Sequence, residues 1–442
     1  MMGNKLNILL LCNRPARNAD ASTVSDHLEA FGRFSRHRIT VLSFLRELPS
    51  GLDLNRFDVV VIHYTIAIGY LSEHYISTAA KARVRAFKGL KVAFIQDEYR
   101  AVNIVIEALR YMDVGLLFTC VPEAEIGKVY DRTRLPGLRA INNLTGYVPE
   151  NLVARQVPKV ADRTIDIGYR TRKPPFWLGA LAVEKWRIAD AVGERAAAAG
   201  LRTDISYFEG DRLYGDAWID FVSNCRIMLG VESGASVFDF EGDLQQRVDS
   251  YVADHPAAGF EEVQEMFLHP YEGLIRLNQI SPRCFEAAAL RTPMVLFEGE
   301  YSGVLVAGRH YLALRKDYSN FAEIVAAVRD IDRLQAIADR AYEEIACNSA
   351  WSYRRFIETF DTEVLHEAAA RGKTEACPAY SRTGLLFALA RSPAWLMHRA
   401  VSATVQRLLL GTPLRKVIFG IWGRVPLSGR LMVRPFLRLI GR

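Results

Sequence analysis

The sequence predicts an α/β protein of two successive doubly wound, Rossmann-like domains followed by a basic amphipathic helical tail. Three observations predict it. Short apolar runs alternate with helical stretches over most of the chain. That rhythm breaks in a segment with two prolines between Tyr147 and Arg163, and after Glu375 the chain holds no acidic residue at all.

In the first domain, residues 1–150, strands are expected at Ile8–Leu11, Ile39–Phe44, Val59–His63, Val92–Ile95 and Gly115–Thr119, with helices such as Thr23–Phe34 and Val102–Tyr111 between them. The opening residues are too short and badly flanked for a signal peptide and read as the first strand. His63 closes one strand and Asp97 follows another. Both stand at strand carboxyl ends, where an imidazole or carboxylate could take a proton from a substrate hydroxyl.

After the linker the second domain, residues 160–345, opens with the strand Thr164–Tyr169, and further strands are expected at Asp204–Phe208, Arg226–Gly230 and Met294–Phe297. Arg170, Arg172 and Lys173 follow the first of these, at the sheet edge where ligands gather in open α/β folds. The run from Leu229 to Asp239 reads as a strand ending in a small-residue loop, which makes Glu232 and Ser233 candidate cleft residues, before a polar insertion to Pro270. Ser281 is a suitable N-cap and Pro282 suits the first helical position, so a helix is expected from Pro282 to about Leu290. Its positive end and Arg283 form an anion site, and Glu286 lies one turn further on.

From Asn278, Gln279, Ser281, Arg283 and Glu286 through Thr292-Pro293 and the strand Met294–Phe297, the chain resembles the donor-sugar half of the GT-B glycosyltransferases. The resemblance is to the bacterial spore-coat-associated, glycosyltransferase group 1 type in particular. The glycine loop from Glu298 to Gly303 and the segment from Gly308 to Leu314 continue it in order. In that family two glutamates eight positions apart flank such a loop; Glu286 matches the second, which holds the ribose, and Asn278 stands where the first touches the sugar. Lys185 resembles a lysine that contacts the diphosphate, with Trp186 in place of the following glycine.

The resemblance implies two Rossmann-like domains facing a cleft and transfer from a nucleotide-diphosphate sugar, with no metal or other cofactor. Glu286, Asn278, Gln279 and Ser281 would face ribose and sugar. Arg170, Arg172, Lys173, Lys185 and Arg283 would face the diphosphate, and Glu298 would border the cleft. Residues 346–375 would form a return helix to the first domain. Other readings are a non-catalytic GT-B scaffold and a GT-B nucleotide-sugar epimerase.

With 442 residues, half of them hydrophobic, the chain can bury two cores. Six cysteines without a CxxC pair read as reduced thiols, and no GxGxxG or Walker sequence supports a dehydrogenase or P-loop enzyme. The net charge of +6 is unevenly spread: residues 376–442 carry eleven Arg and Lys, leaving 45 basic against 50 acidic side chains before them. Residues 393–410 show helical periodicity with Trp395, Leu396, Val401, Val405 and Leu408 on one side. No uncharged stretch reaches the roughly 20 residues needed to span a bilayer. The tail is therefore expected to lie on an anionic membrane surface, the alternative being that its helices pack on the body or on a second subunit; its apolar content speaks against nucleic-acid binding. The expected setting is peripheral, on the cytoplasmic face of the membrane, with a glycan or lipid-linked acceptor in surface polysaccharide or lipopolysaccharide assembly.

Overall fold

The structure is a computed structural model that describes residues 5–14, 21–372, 379–393 and 395–396. The tail expected to contact a membrane lies outside the described residues from position 397 onward. The chain divides into two units. One comprises the chain to Asn143, Phe240–Gly242 and the chain from Ile357; the other comprises Leu144–Asp239 and Asp243–Phe356.

In the first unit the elements run β1 (Asn7–Cys12), α1 (Ser22–Phe34), β2 (Arg38–Ser43), β3 (Val59–Ile62), α2 (Thr78–Ala86), β4 (Leu90–Ile95), α3 (Val102–Met112), β5 (Leu116–Thr119), α4 (Glu123–Val129) and β6 (Arg139–Asn142). All six strands are parallel, in the order β2-β1-β3-β4-β5-β6. The inner strands β1, β3 and β5 are buried along their whole length, which is why they read as continuous apolar runs. β6 was not anticipated: its half-buried sequence, Arg-Ala-Ile-Asn, carries no strand pattern. Phe94 stacks on Phe118 at 4.6 Å, and Phe31 meets Phe360 at 5.0 Å in the same core.

The second unit continues with α5 (Glu150–Val153), β7 (Ile165–Arg170), α6 (Ala180–Ala198), β8 (Thr203–Ser206), α7 (Asp216–Asn224), β9 (Cys225–Gly230), β10 (Ser233–Val237), α8 (Leu244–Asp254), α9 (Phe260–Val263), β11 (Glu272–Gln279), α10 (Pro282–Ala289), β12 (Met294–Phe297), β13 (Leu312–Leu314), α11 (Phe321–Arg329) and α12 (Ile331–Ala341). Its main sheet is parallel, in the order β13-β12-β9-β7-β8, and β10 and β11 form a separate antiparallel pair. α13 (Tyr353–Ala370) carries the chain back to the first unit, and α14 (Arg382–Ala390) follows.

Two expectations differ from the structure. Val148 and Leu152, in the stretch read as a linker, are buried in the second unit's core, and the main-chain N–H of Val148 donates to the Trp351 carbonyl at 2.9 Å. The small-residue stretch after Glu232 and the stretch ending at Gln279 are paired strands rather than loops. Residues so polar and small satisfy their backbone against each other, a pairing invisible to local periodicity. Among the described residues Cys12, Cys120, Cys225, Cys284 and Cys347 are free thiols, and no helix is long and apolar enough to cross a membrane.

Candidate functional site

The chain leaves β7 for β8 on one side and returns to β9 on the other, so the strand order of the second sheet reverses between β7 and β9. The carboxyl edge beside such a reversal is where open α/β sheets leave a crevice for ligands. Glu232 stands there, two residues beyond β9 and 5% exposed. One carboxylate oxygen accepts from Asn278 Nδ2 at 2.7 Å, the other from the Tyr301 main-chain N–H at 2.8 Å.

The register of the β10–β11 pair creates the first contact. Gly234 lies opposite Asn278 with φ at +114°, and a Cβ there would fall 1.7 Å from the Leu277 carbonyl oxygen. Only glycine combines that backbone with that approach. Gly299 plays a similar part, since a Cβ on it would meet Glu232 Oε2 at 2.7 Å.

α10 begins as its sequence suggests, with Ser281 in extended conformation at the N-cap and Pro282 in the first turn. The Ser281 side chain makes no capping hydrogen bond. Glu286 is 5% exposed, and its Oε2 accepts from the indole Nε1–H of Trp218 on α7 at 2.9 Å. The Arg283 guanidinium lies 5.9 Å from the Trp218 ring and 6.0 Å from that of Tyr169. Tyr169, Trp218, Arg283 and Glu286 therefore form one cluster spanning β7, α7 and α10. Burial raises the Tyr169 phenol pKa, and the nearby Arg283 charge opposes that rise. Ser281, Arg283 and Cys284 line a narrow recess of about 20 Å³ with Gly230 and Val231. Burial pushes the Cys284 thiol up to about 12, so it is not a thiolate nucleophile near neutral pH.

The remaining expected residues separate into two groups. Arg172 and Lys173 are exposed on the loop after β7, with the Lys173 ammonium 4.6 Å from the Trp186 ring, and Lys185 lies on α6. Glu298 is exposed just past β12; Gln279 is buried at the end of β11, and Ser302 Oγ donates to its Oε1 at 3.5 Å. Arg170 is committed elsewhere. Its guanidinium donates to the Asp204 carboxylate at 2.7 Å and to the carbonyls of Asp204, Tyr169 and Asp211. Every one of its nitrogens braces β7 against β8 and the following turn, which corrects its expected place among the diphosphate ligands.

In the first unit, the reversal lies between β1 and β3, and His63 follows β3 there. It is fully buried. Its Nδ1 accepts from the Thr65 main-chain N–H at 3.1 Å, so its proton sits on Nε2, which donates to His27 Nδ1 at 2.9 Å. Burial drives the His27 pKa down to about 3, keeping that ring neutral. Both nitrogens of His63 thus serve the fold, and its expected role as a base is corrected accordingly. Asp97 is exposed on the loop after β4 and accepts from the Tyr99 hydroxyl at 3.2 Å.

One residue at this edge was overlooked. Asn13 directly follows β1, its main chain donates to Thr65 Oγ1 at 3.0 Å, and neither atom of its buried side-chain amide has a hydrogen-bond partner among the described residues. The signal was available, because Asn13 ends the first apolar run as His63 ends the third.

No protein-family model matches the sequence, and no curated protein matches it. Solved structures are similar at low identity. An alpha-glucosyltransferase in complex with UDP-glucose and DNA containing an abasic site aligns at 13% identity and a TM-score of 0.48, covering 81% of this chain and 99% of its own. HepE of Anabaena, in complex with UDP and glucose, aligns at 11% identity and 0.40, covering 82% and 99%. The pneumococcal O-GlcNAc transferase GtfA, in complex with UDP and GlcNAc, aligns at 11% identity and 0.35, covering 70% and 56%.

Proposed function

We propose that the protein is a GT-B glycosyltransferase that moves a sugar from a nucleotide-diphosphate donor to a hydroxyl of a glycan or lipid-linked acceptor. The observation that carries the reading is the gathering of two buried carboxylates, Glu232 and Glu286, with Arg283 at the carboxyl edge of the second sheet. A nucleotide sugar asks for that set: one carboxylate for ribose hydroxyls, one for sugar hydroxyls, and cations between them for a diphosphate. Glu286 takes the ribose. Glu232, reached through Asn278, supplies the acid that the resembling family places at position 278. Arg283 and the first amides of α10 face the diphosphate, with Arg172, Lys173 and Lys185 as further cations.

In the reaction the acceptor oxygen attacks the anomeric carbon and loses its proton. The bond from that carbon to the phosphate oxygen breaks, and its electron pair leaves on the nucleoside diphosphate, which the cations stabilise. Asp97 is the proton acceptor in this reading, and the side-chain amide of Asn13 binds an acceptor hydroxyl. The basic chain after Glu375 places the enzyme peripherally on an anionic, cytoplasmic membrane face, in surface polysaccharide or lipopolysaccharide assembly.

The test is a thermal-shift panel of UDP-, GDP-, dTDP- and CMP-sugars, with and without EDTA. A ligand that binds only the native state raises its stability, so one selective, EDTA-insensitive shift is expected. A flat panel on folded protein overturns the reading in favour of a non-catalytic scaffold.

A further inference from the structure

We propose that the amino-terminal edge of the first unit's sheet carries a seat for the phosphate headgroup of an anionic membrane lipid. This deepens the membrane part of the functional reading, and it stands on described residues: a pocket in the body of the first unit and α14, the described start of the tail. An open pocket of about 270 Å³ lies at this edge, lined by Arg85, Lys88, Lys91, Arg371 and Asp113 together with apolar and main-chain atoms. Lys91 and Asp113 neutralise each other at 2.9 Å. Arg85, Lys88 and Arg371 are exposed; Arg85 lies over the Tyr111 ring and Arg371 donates to the Gly137 carbonyl at 3.3 Å, and among the described residues the lining holds no further carboxylate. Such a pocket suits an anion with several acceptor oxygens, and a phosphate group fits that description.

The surroundings select a lipid as the source. The main-chain N–H of Lys88 donates to Asn55 Oδ1 at 3.2 Å. The neighbouring Arg56 lies over the Tyr380 ring at 4.6 Å, and the Asp53 N–H donates to the Tyr380 hydroxyl at 3.0 Å. The segment that leads to the pocket therefore also holds the start of α14. That helix buries Ala388 and Leu389 against the unit and presents Leu386 at 55% and Phe387 at 67% exposure, with Leu396 beyond it at 45%. Arg391 lies over the Phe387 ring. Exposed leucine and phenylalanine beside arginine, tied through residues 53–56 to a pocket rich in cations, match a bilayer interface in chemistry: acyl chains for the one, headgroup phosphate for the other. A free phosphate would account for the pocket and leave the apolar side chains unexplained.

The experiment uses the full chain and sedimentation with phosphatidylcholine vesicles, with and without phosphatidylglycerol. Two variants are compared with the parent: Arg85→Glu with Lys88→Glu, and Leu386→Ser with Phe387→Ser. All four side chains are exposed, and matching circular dichroism and nucleotide-sugar thermal shifts establish that the variants fold. The parent is expected to bind only the phosphatidylglycerol vesicles. Each variant is expected to lose roughly ten-fold or more in partitioning, the charge variant through lost headgroup attraction at each basic residue and the serine variant through lost apolar insertion. Parent-like binding by both variants overturns the seat and leaves vesicle attachment to the part of the tail beyond α14. Inorganic phosphate that stabilises the parent but not the charge variant, with vesicle binding equal in both, identifies a free-phosphate site and also overturns the lipid assignment. A parent that ignores both vesicles removes the membrane from the account altogether, while the nucleotide-sugar panel judges the donor site separately.

Discussion

Asn278 donates its side-chain amide to the Glu232 carboxylate at 2.7 Å, across an antiparallel pair of strands that no local pattern announces. The contact puts an acid where the chain's own sequence places an amide. If Glu232 holds sugar hydroxyls, Glu232→Gln should lower turnover of the matched donor by roughly 10- to 100-fold, the range for hydrogen bonds to a charged group. Binding of the free nucleoside diphosphate, which has no sugar to hold, should stay unchanged. Calorimetric titration with diphosphate and donor separates the two. Equal losses for both ligands would remove Glu232 from sugar recognition.

Trp218 and Glu286 give a second, separable expectation. Trp218→Phe keeps an aromatic ring beside Arg283 and removes the Nε1–H that the buried carboxylate accepts at 2.9 Å. Loss of one such bond to a charged group costs about 1.5–3 kcal/mol. Affinity for the free nucleotide should fall, because ribose is common to donor and product. A variant that binds nucleotide as the parent does shows that the indole serves α7 and α10 packing alone.

The parts of this protein that were legible in sequence are those set by neighbours close along the chain. β1, β3 and β12 are short runs without polar residues in their interiors, and parallel strands covered on both faces require that. Ser281 and Pro282 marked the start of α10 within one turn. What stayed hidden depends on partners far away. His63 looks like an available base until His27, 36 positions earlier, takes its Nε2. Arg170 looks like a free cation until Asp204, on the adjacent strand, claims it. Asn278 and Glu232 are 46 positions apart, and only the register through Gly234 joins them.

Arg163 tests the energetics of such hidden partners in the second unit. It is 1% exposed and, among the described residues, faces no carboxylate. Its guanidinium donates instead to the carbonyls of Pro158, Cys225, Leu290 and Arg291 and to Thr292 Oγ1. Burial lowers its pKa to about 10, still charged at neutral pH. Arg163→Met should destabilise by about 2–4 kcal/mol, since several buried carbonyls lose their donors together. Arg163→Lys should recover little, because one ammonium cannot span the positions a planar guanidinium reaches. Urea denaturation of both variants provides the check. Parent-like stability of the lysine variant would show that charge, not the fork of donors, is what the site requires.

The pH dependence of stability follows from two buried groups in the first unit that shift in opposite senses. The Glu98 carboxyl is held by the Thr119 and Tyr130 hydroxyls and the Val121 N–H. Those donors favour its charged form, yet desolvation outweighs them and raises its pKa from 4.5 to about 8. Between these values the unfolded chain has released a proton that the folded chain keeps, so stability falls as pH rises and levels off above the folded pKa. His27 acts at the other end. Its pKa falls from 6.5 to about 3, so below 6.5 the unfolded chain binds a proton that the folded chain refuses, and stability falls on acidification. Between 4.5 and 6.5 the two slopes, each about 1.4 kcal/mol per pH unit, cancel. These two groups thus set a plateau there, with decline toward pH 8 from Glu98 and toward pH 3 from His27. Glu98→Gln should abolish the alkaline decline and extend the acid one up to about pH 6.5, and His27→Gln should abolish the acid decline and extend the alkaline one down to about pH 4.5. Melting temperatures from about pH 3 to 8 for the three proteins measure this directly. An alkaline slope that survives Glu98→Gln would assign that decline to another group.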